Sequence, residues 1–85
     1  MKFWVYLLRC SNGTYYVGHT DNISRGLREH NAGCGAEYTK KYRPVNMVFE
    51  EPFESESDAT KREKQIKRWS HAKKTALIEG DIEAL

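Results

Sequence analysis

Long apolar runs are missing from this 85-residue chain. No stretch of twenty residues is apolar enough to span a membrane, and the short apolar start runs straight into strand-like residues. These features predict a soluble, cytoplasmic protein with no membrane association. Cysteine is scarce as well: Cys10 and Cys34 match no zinc-binding spacing and read as free thiols of a reducing compartment. Repeats and low-complexity tracts are absent, so residues 1–80 are expected to form one small domain, followed by a flexible tail over 81–85. A large excess of one charge is missing too. The net charge of +2 is too small to argue for nucleic acid by itself.

The charge that is present is unevenly spread. Glu50, Glu51, Glu54, Glu56 and Asp58 make one stretch acidic, whereas residues 61–74 carry seven Lys or Arg against Glu63 alone. A solvated helix surface and a phosphate-binding face both fit that pattern.

The first twenty residues read as a β-hairpin, with aromatic and β-branched arms around the turn cluster Ser11-Asn12-Gly13. Two registers are open. A two-residue turn at Asn12-Gly13 sets Tyr6 opposite His19 and puts Tyr6 and Tyr16 on opposite faces. A three-residue loop with Gly13 left-handed sets Leu8 opposite Tyr16 and Tyr6 opposite Gly18, so that the two phenols share a face beside a glycine.

Next, Thr20-Asp21-Asn22 offers a helix N-cap, and Ile23, Gly26, Leu27 and His30 form the inward stripe before Asn31-Ala32-Gly33 stops the helix. Glycine inside a helix costs about 1 kcal/mol relative to alanine, so Gly26 on the inner face suggests close packing or a missing side chain. A lone histidine such as His30 is ordinarily a half-buried, hydrogen-bonded one. Residues 34–44 read as a loop in which Tyr38 and Tyr42 interleave with Lys40, Lys41 and Arg43, a composition suited to stacking and phosphate contact. A third strand is expected from Pro44 to Phe53, with Val45, Met47 and Phe49 alternating and Pro52 ending it. Ser55 then starts a helix to about Trp69, whose stripe of Ala59, Ile66 and Trp69 is interrupted by Glu63. A carboxylate there must pair with a cation, bind a metal or be hydrogen-bonded. Ser70 caps a last helix that Gly80 stops. The order is ββαβαα.

Taken together, Val5-Tyr6-Leu7, Tyr16-Val17-Gly18, LREHNAG, GAEYT, RPV, KREKQIKRWS and AKKTALI resemble, in order and spacing, the GIY-YIG nuclease superfamily. The likeness is to its minimal, single-domain branch of small bacterial proteins. The resemblance implies an α+β fold, a small three-stranded mixed sheet flanked by helices, and hydrolysis of DNA phosphodiesters with one Mg²⁺ or Mn²⁺. It favours the three-residue loop, because both phenols must then face one site. Carried over by position, Tyr6 is the candidate general base, Tyr16 and His30 orient it or the attacking water, and Glu63 holds the metal. Gly18 lets the backbone approach phosphate, and His19, Lys40, Lys41 and Arg43 are the candidate substrate contacts. Taken alone, each tyrosine reads as ordinary sheet packing.

One position departs from the pattern. Gly26 stands where the family has a phosphate-clamping arginine, four residues before the histidine. Losing such a donor costs on the order of a hundredfold in rate. Arg25 and Arg28, the candidate catalytic replacements, flank the gap, about 100° and 200° round the helix from it. Thr75 is a smaller departure, where some relatives carry asparagine. The functional expectation is therefore a metal-dependent endonuclease acting on DNA, structure-selective or weakly specific. It would be a monomer, with a protein partner as a further source of specificity. The alternative is a nucleic-acid-binding module that has lost cleavage with the arginine.

Overall fold

The computed structural model describes residues 2–80; the expected tail lies outside them. The elements are β1 (Phe3–Arg9), β2 (Tyr15–Thr20), α1 (Ile23–Asn31), α2 (Glu37–Lys41), β3 (Asn46–Phe53), α3 (Glu56–Lys67) and α4 (His71–Glu79). The expected α+β order holds, with one addition. The stretch read as a loop contains α2, a single short helix whose brevity leaves no periodic signal for a sequence pattern to show.

The hairpin closes through three residues. Cys10 N–H donates to Thr14 O at 2.8 Å, Gly13 N–H donates to Cys10 O at 2.9 Å, and Gly13 takes a φ of +84°, which favours glycine. Asn12 Oδ1 accepts from the Thr14 amide and hydroxyl and holds the turn. Tyr6 therefore pairs with Gly18 and Leu8 with Tyr16. The two phenols share a face.

The sheet order is β2-β1-β3, and both pairings are antiparallel, so the sheet is not mixed in strand direction. The reason is topological. The chain leaving β2 crosses through α1 and α2 to the far side of β1; β2 and β3 run the same way but never touch. β1 is thus central, and Val5, Leu7 and Leu8 are fully buried across both of its faces. Pro52 does not end β3; it lies inside the strand, which is tolerated because β3 is an edge. A bulge at Val48 breaks the expected alternation. Val45 and Met47 pack on the face of Leu8, whereas Phe49 and Phe53 pack with Leu7.

Two apolar layers result. Val5, Leu7 and Val17 pack against Ala59 and Ile66 of α3 and Leu77 and Ile78 of α4, while Leu8, Cys10 and Val45 pack with Ile23 and Leu27 of α1. Asn22, Ser55 and Ser70 cap α1, α3 and α4 with side-chain oxygens, and Gly80 ends α4 at a φ of +74°. Of the expected cap cluster Thr20-Asp21-Asn22, Asn22 is the cap. Asn31 ties the end of α1 to Val45, donating to its carbonyl at 3.1 Å and accepting from its amide at 2.8 Å. Cys10 and Cys34 are free.

Candidate active site

Tyr6 is 5 % exposed, and its phenol lies over Gly18. A Cβ on Gly18 would stand 2.6 Å from Tyr6 Oη and 2.8 Å from its Cζ. Glycine is required there to seat the tyrosine, a different reason from the phosphate approach expected. Across from it, α1 presents His30, whose Nε2 is 2.9 Å from Tyr6 Oη. His30 Nδ1 is 2.7 Å from Thr39 Oγ1 on α2, and the Thr39 hydroxyl donates to Ala36 O at 2.9 Å.

Counting protons fixes the direction of this chain. Thr39 spends its single proton on Ala36, so it accepts from His30 Nδ1–H. Nε2 then carries the lone pair and accepts the phenolic proton of Tyr6. Burial pushes His30 below the ordinary histidine value near 6.5, which keeps the ring neutral, as this tautomer requires. Burial, reinforced by Tyr16, Glu63 and Glu29, pushes the Tyr6 phenol well above its ordinary value. Tyr16 completes the group, with its ring centroid 5.1 Å from that of His30. Gly35 seats the histidine in the same way as Gly18 seats the tyrosine: a Cβ there would lie 2.3 Å from His30 Nδ1.

His19 alternates to the other face of β2, where Nδ1 meets Glu63 Oε1 at 2.5 Å and Nε2 lies 3.4 Å from Glu56 Oε2. The other Glu63 oxygen pairs with Lys67 Nζ at 2.5 Å. Burial pushes the Glu63 carboxyl up, but the hydrogen bonds from Lys67 and His19 outweigh it and hold the group below the usual range. The bond to Glu63 raises His19 against the desolvation that lowers it. Glu63 is thus both hydrogen-bonded and ion-paired, through His19 and Lys67. Side chains from both faces of the sheet meet in a cleft of about 360 Å³, lined by Tyr6, His19, Gly26, His30 and Glu56 among others.

The model of the GIY-YIG catalytic domain matches residues 2–76. The chain belongs to the GIY-YIG family. Its relatives include a UPF0213 protein of Halobacterium salinarum, 49 % identical over 87 % of this chain and 96 % of that one, and one of Staphylococcus haemolyticus, 44 % identical over 92 % and 95 %. Among solved structures, the solution NMR structure of a protein from E. faecalis is similar at a TM-score of 0.64 and 36 % identity, covering 94 % of this chain and 85 % of that one. The NMR structure of a UPF0213 protein from Bacillus halodurans is similar at 0.60 and 34 %, over 93 % and 84 %. GIY-YIG membership makes this a nuclease-type domain; the relatives' names state no activity.

Within the GIY-YIG frame, Tyr6, Tyr16, Gly18 and His30 form one group on one face of the sheet, and His19 and Glu63 form a second on the other; His19 lines the cleft with Tyr6 and His30, whereas Glu63 is not among its lining residues. Arg25 lines the cleft, but its guanidinium is paired with Asp21 and lies 3.5 Å from Glu29 Oε1. Gly26 is buried, and the atoms nearest a Cβ there would be those of Thr20, at 3.6–3.8 Å, ordinary contact that leaves room for a methyl. Arg28 is exposed and does not line the cleft. Lys40, Lys41 and Arg43 line separate depressions beside α2. Arg43 braces backbone there, donating to Lys40 O at 3.0 Å and Asn31 O at 3.3 Å. Thr75 lies away from the cleft, bonded to Tyr15 Oη at 2.9 Å. Sequence reasoning missed Thr39 and Gly35 as supports of His30, and Glu56 as a partner of His19. A buried histidine needs a partner for each ring nitrogen, and GAEYT was the segment holding one.

Proposed function

We propose that the protein is a divalent-metal-dependent endonuclease that hydrolyses DNA phosphodiesters in the cleft between β2, α1 and α3. The observation that carries this reading is the Tyr6–His30 pair, a buried phenol whose proton already points at the lone pair of a neutral imidazole. A phenol pushed above its ordinary value is not a free phenolate near neutral pH. A relay avoids that difficulty: Tyr6 Oη takes a proton from the attacking water as its own proton passes to His30 Nε2, and the water oxygen bonds to phosphorus as the phosphorus–oxygen bond to the leaving strand breaks, the leaving oxygen taking its proton from solvent. Thr39 keeps the imidazole in the tautomer able to receive it, and Tyr16 and Gly18 hold the phenol in place.

Glu63 fits a hard divalent cation. It is an ionised hard-oxygen donor, which suits Mg²⁺ or Mn²⁺ completed by water and substrate oxygens. Such an ion on Glu63 would neutralise charge on the phosphate and leaving oxygens. Binding there requires His19 and Lys67 to release the carboxylate, after which both are free to meet phosphate. Arg25 is the cleft guanidinium that would stand in for the one expected at Gly26, once released from Asp21 and Glu29.

Nicking of supercoiled, flap and branched DNA in Mg²⁺ or Mn²⁺, lost on Tyr6→Phe, is the expected result, and nicking undiminished by Tyr6→Phe refutes the relay. The second reading, a binding module without turnover, draws on Gly26 and on the engagement of Arg25 by two carboxylates. It predicts salt-sensitive DNA binding and no nicking by the protein as it stands, with nicking gained in Gly26→Arg.

A further inference from the structure

Away from the cleft, Tyr38 is the one large aromatic exposed among the described residues, at 41 %. An exposed ring is normally free to move, but this one is held at both ends. Its Oη sits 2.5 Å from Thr14 Oγ1 and 3.4 Å from Asn12 Nδ2 of the hairpin, and its ring packs on Tyr42 with centroids 5.0 Å apart. Lys41 Nζ lies 5.5 Å from the Tyr42 ring, so an aromatic pair and a cation follow one another along the face of α2 that carries positions 38, 41 and 42. Beside them runs a groove of about 630 Å³ lined by Glu37, Tyr38, Lys40, Lys41 and Arg43. Glu37 is the single acid of that lining. A different side of the same helix presents Thr39 to His30, which ties the groove to the cleft through one rigid turn.

We propose that α2 is a docking platform for an unpaired nucleotide, its base stacked on Tyr38 and its phosphate met by Lys40 and Lys41. The proposal rests on the nuclease reading above only for the role of the captured strand, since binding itself needs neither metal nor the catalytic pair. Stacking suits the observations better than groove readout does. A pinned aromatic beside exposed ammonium groups accepts any base face and a phosphate, whereas Arg43, the planar donor suited to reading base edges, is occupied with backbone carbonyls. An unpaired base can reach such a ring; a base inside a duplex cannot.

The test is fluorescence of a short single-stranded oligonucleotide carrying 2-aminopurine, titrated with the protein in chelator and low salt. Quenching on binding is expected, with affinity weakened about tenfold or more in Tyr38→Ala, largely kept in Tyr38→Phe, and reduced with a shallower salt dependence in Lys40→Gln/Lys41→Gln. A fully paired duplex of the same length should show no dependence on Tyr38. Thermal unfolding of each variant identifies any that fails to fold, and Tyr38→Phe retains the ring if Tyr38→Ala does not fold. No binding of the single strand by the wild-type protein, or binding and quenching unchanged in Tyr38→Ala, overturns the platform and leaves the cleft chemistry standing. Tyr38-dependent binding with no nicking in metal supports the platform and counts against the nuclease.

Discussion

Gly18 and Gly35 decide whether the Tyr6–His30 pair can exist, because a single methyl at either position would occupy the space of a ring. Gly18→Ala is expected to lower stability by about 1–3 kcal/mol through overpacking and to abolish nicking by moving the phenol off His30, measured by thermal unfolding and plasmid nicking. Gly26 is the opposite case. Its Cβ would find only ordinary contact with Thr20, so Gly26→Ala should stabilise the protein by about 0.5–1 kcal/mol through helix propensity, read as a higher midpoint in urea. The turn cluster left two registers open, and it was the family resemblance that pointed to the three-residue loop placing Tyr6 and Tyr16 on a shared face. The use of Gly18 as a seat for Tyr6 was not legible in the sequence, since a glycine in a strand signals close approach without saying what approaches. Nor could the stripe position of Glu63 show that Lys67 and His19 satisfy it, the latter from a distant strand.

At the scale of elements, α2 is the support that sequence periodicity could not reveal: five residues hold too few turns for a pattern, yet Thr39 and the Gly35 turn fix the orientation of His30. Replacing Thr39 with valine leaves the buried His30 Nδ1–H without its acceptor. A loss of about 1–3 kcal/mol is expected, with a change of histidine tautomer visible by ¹⁵N NMR, and Thr39→Ser should restore both. The β2–α3 junction carries the pH dependence. His19 is raised, so its contribution is complete below its ordinary value near 6.5 and lost as pH rises through the higher folded value. Glu63 is lowered, so its contribution is complete above about 4.5 and lost as pH falls through the lower folded value. The stability difference between wild type and Glu63→Gln in urea titrations should therefore peak between those two values. His30, lowered by burial, works in the other direction from His19: its neutral form favours folding above pH 6.5, and that advantage erodes as pH falls below it. Nicking should fall with acid only as pH passes through this lowered value.

For the whole molecule, the fold class and element order followed from hydrophobic spacing, caps and turns. Strand direction did not, because deciding between a mixed and an antiparallel sheet requires knowing that β3 joins β1 rather than β2. Charge acts at this scale too. The net charge is only +2, yet Lys61, Lys64 and Arg68 line a common surface depression along α3 and its C-terminal end while the acidic residues of β3 lie elsewhere, so DNA binding should weaken steeply with salt despite the small net charge. In the proposed mechanism Glu63 on α3 serves the chemistry of Tyr6 on β1 by holding a divalent ion. The decisive measurement is nicking of supercoiled DNA by the wild type and Glu63→Ala, each with Mg²⁺, Mn²⁺ or chelator. Nicking that needs the metal and disappears in the variant is the expected result; nicking that proceeds in chelator, or that survives Glu63→Ala, would contradict it.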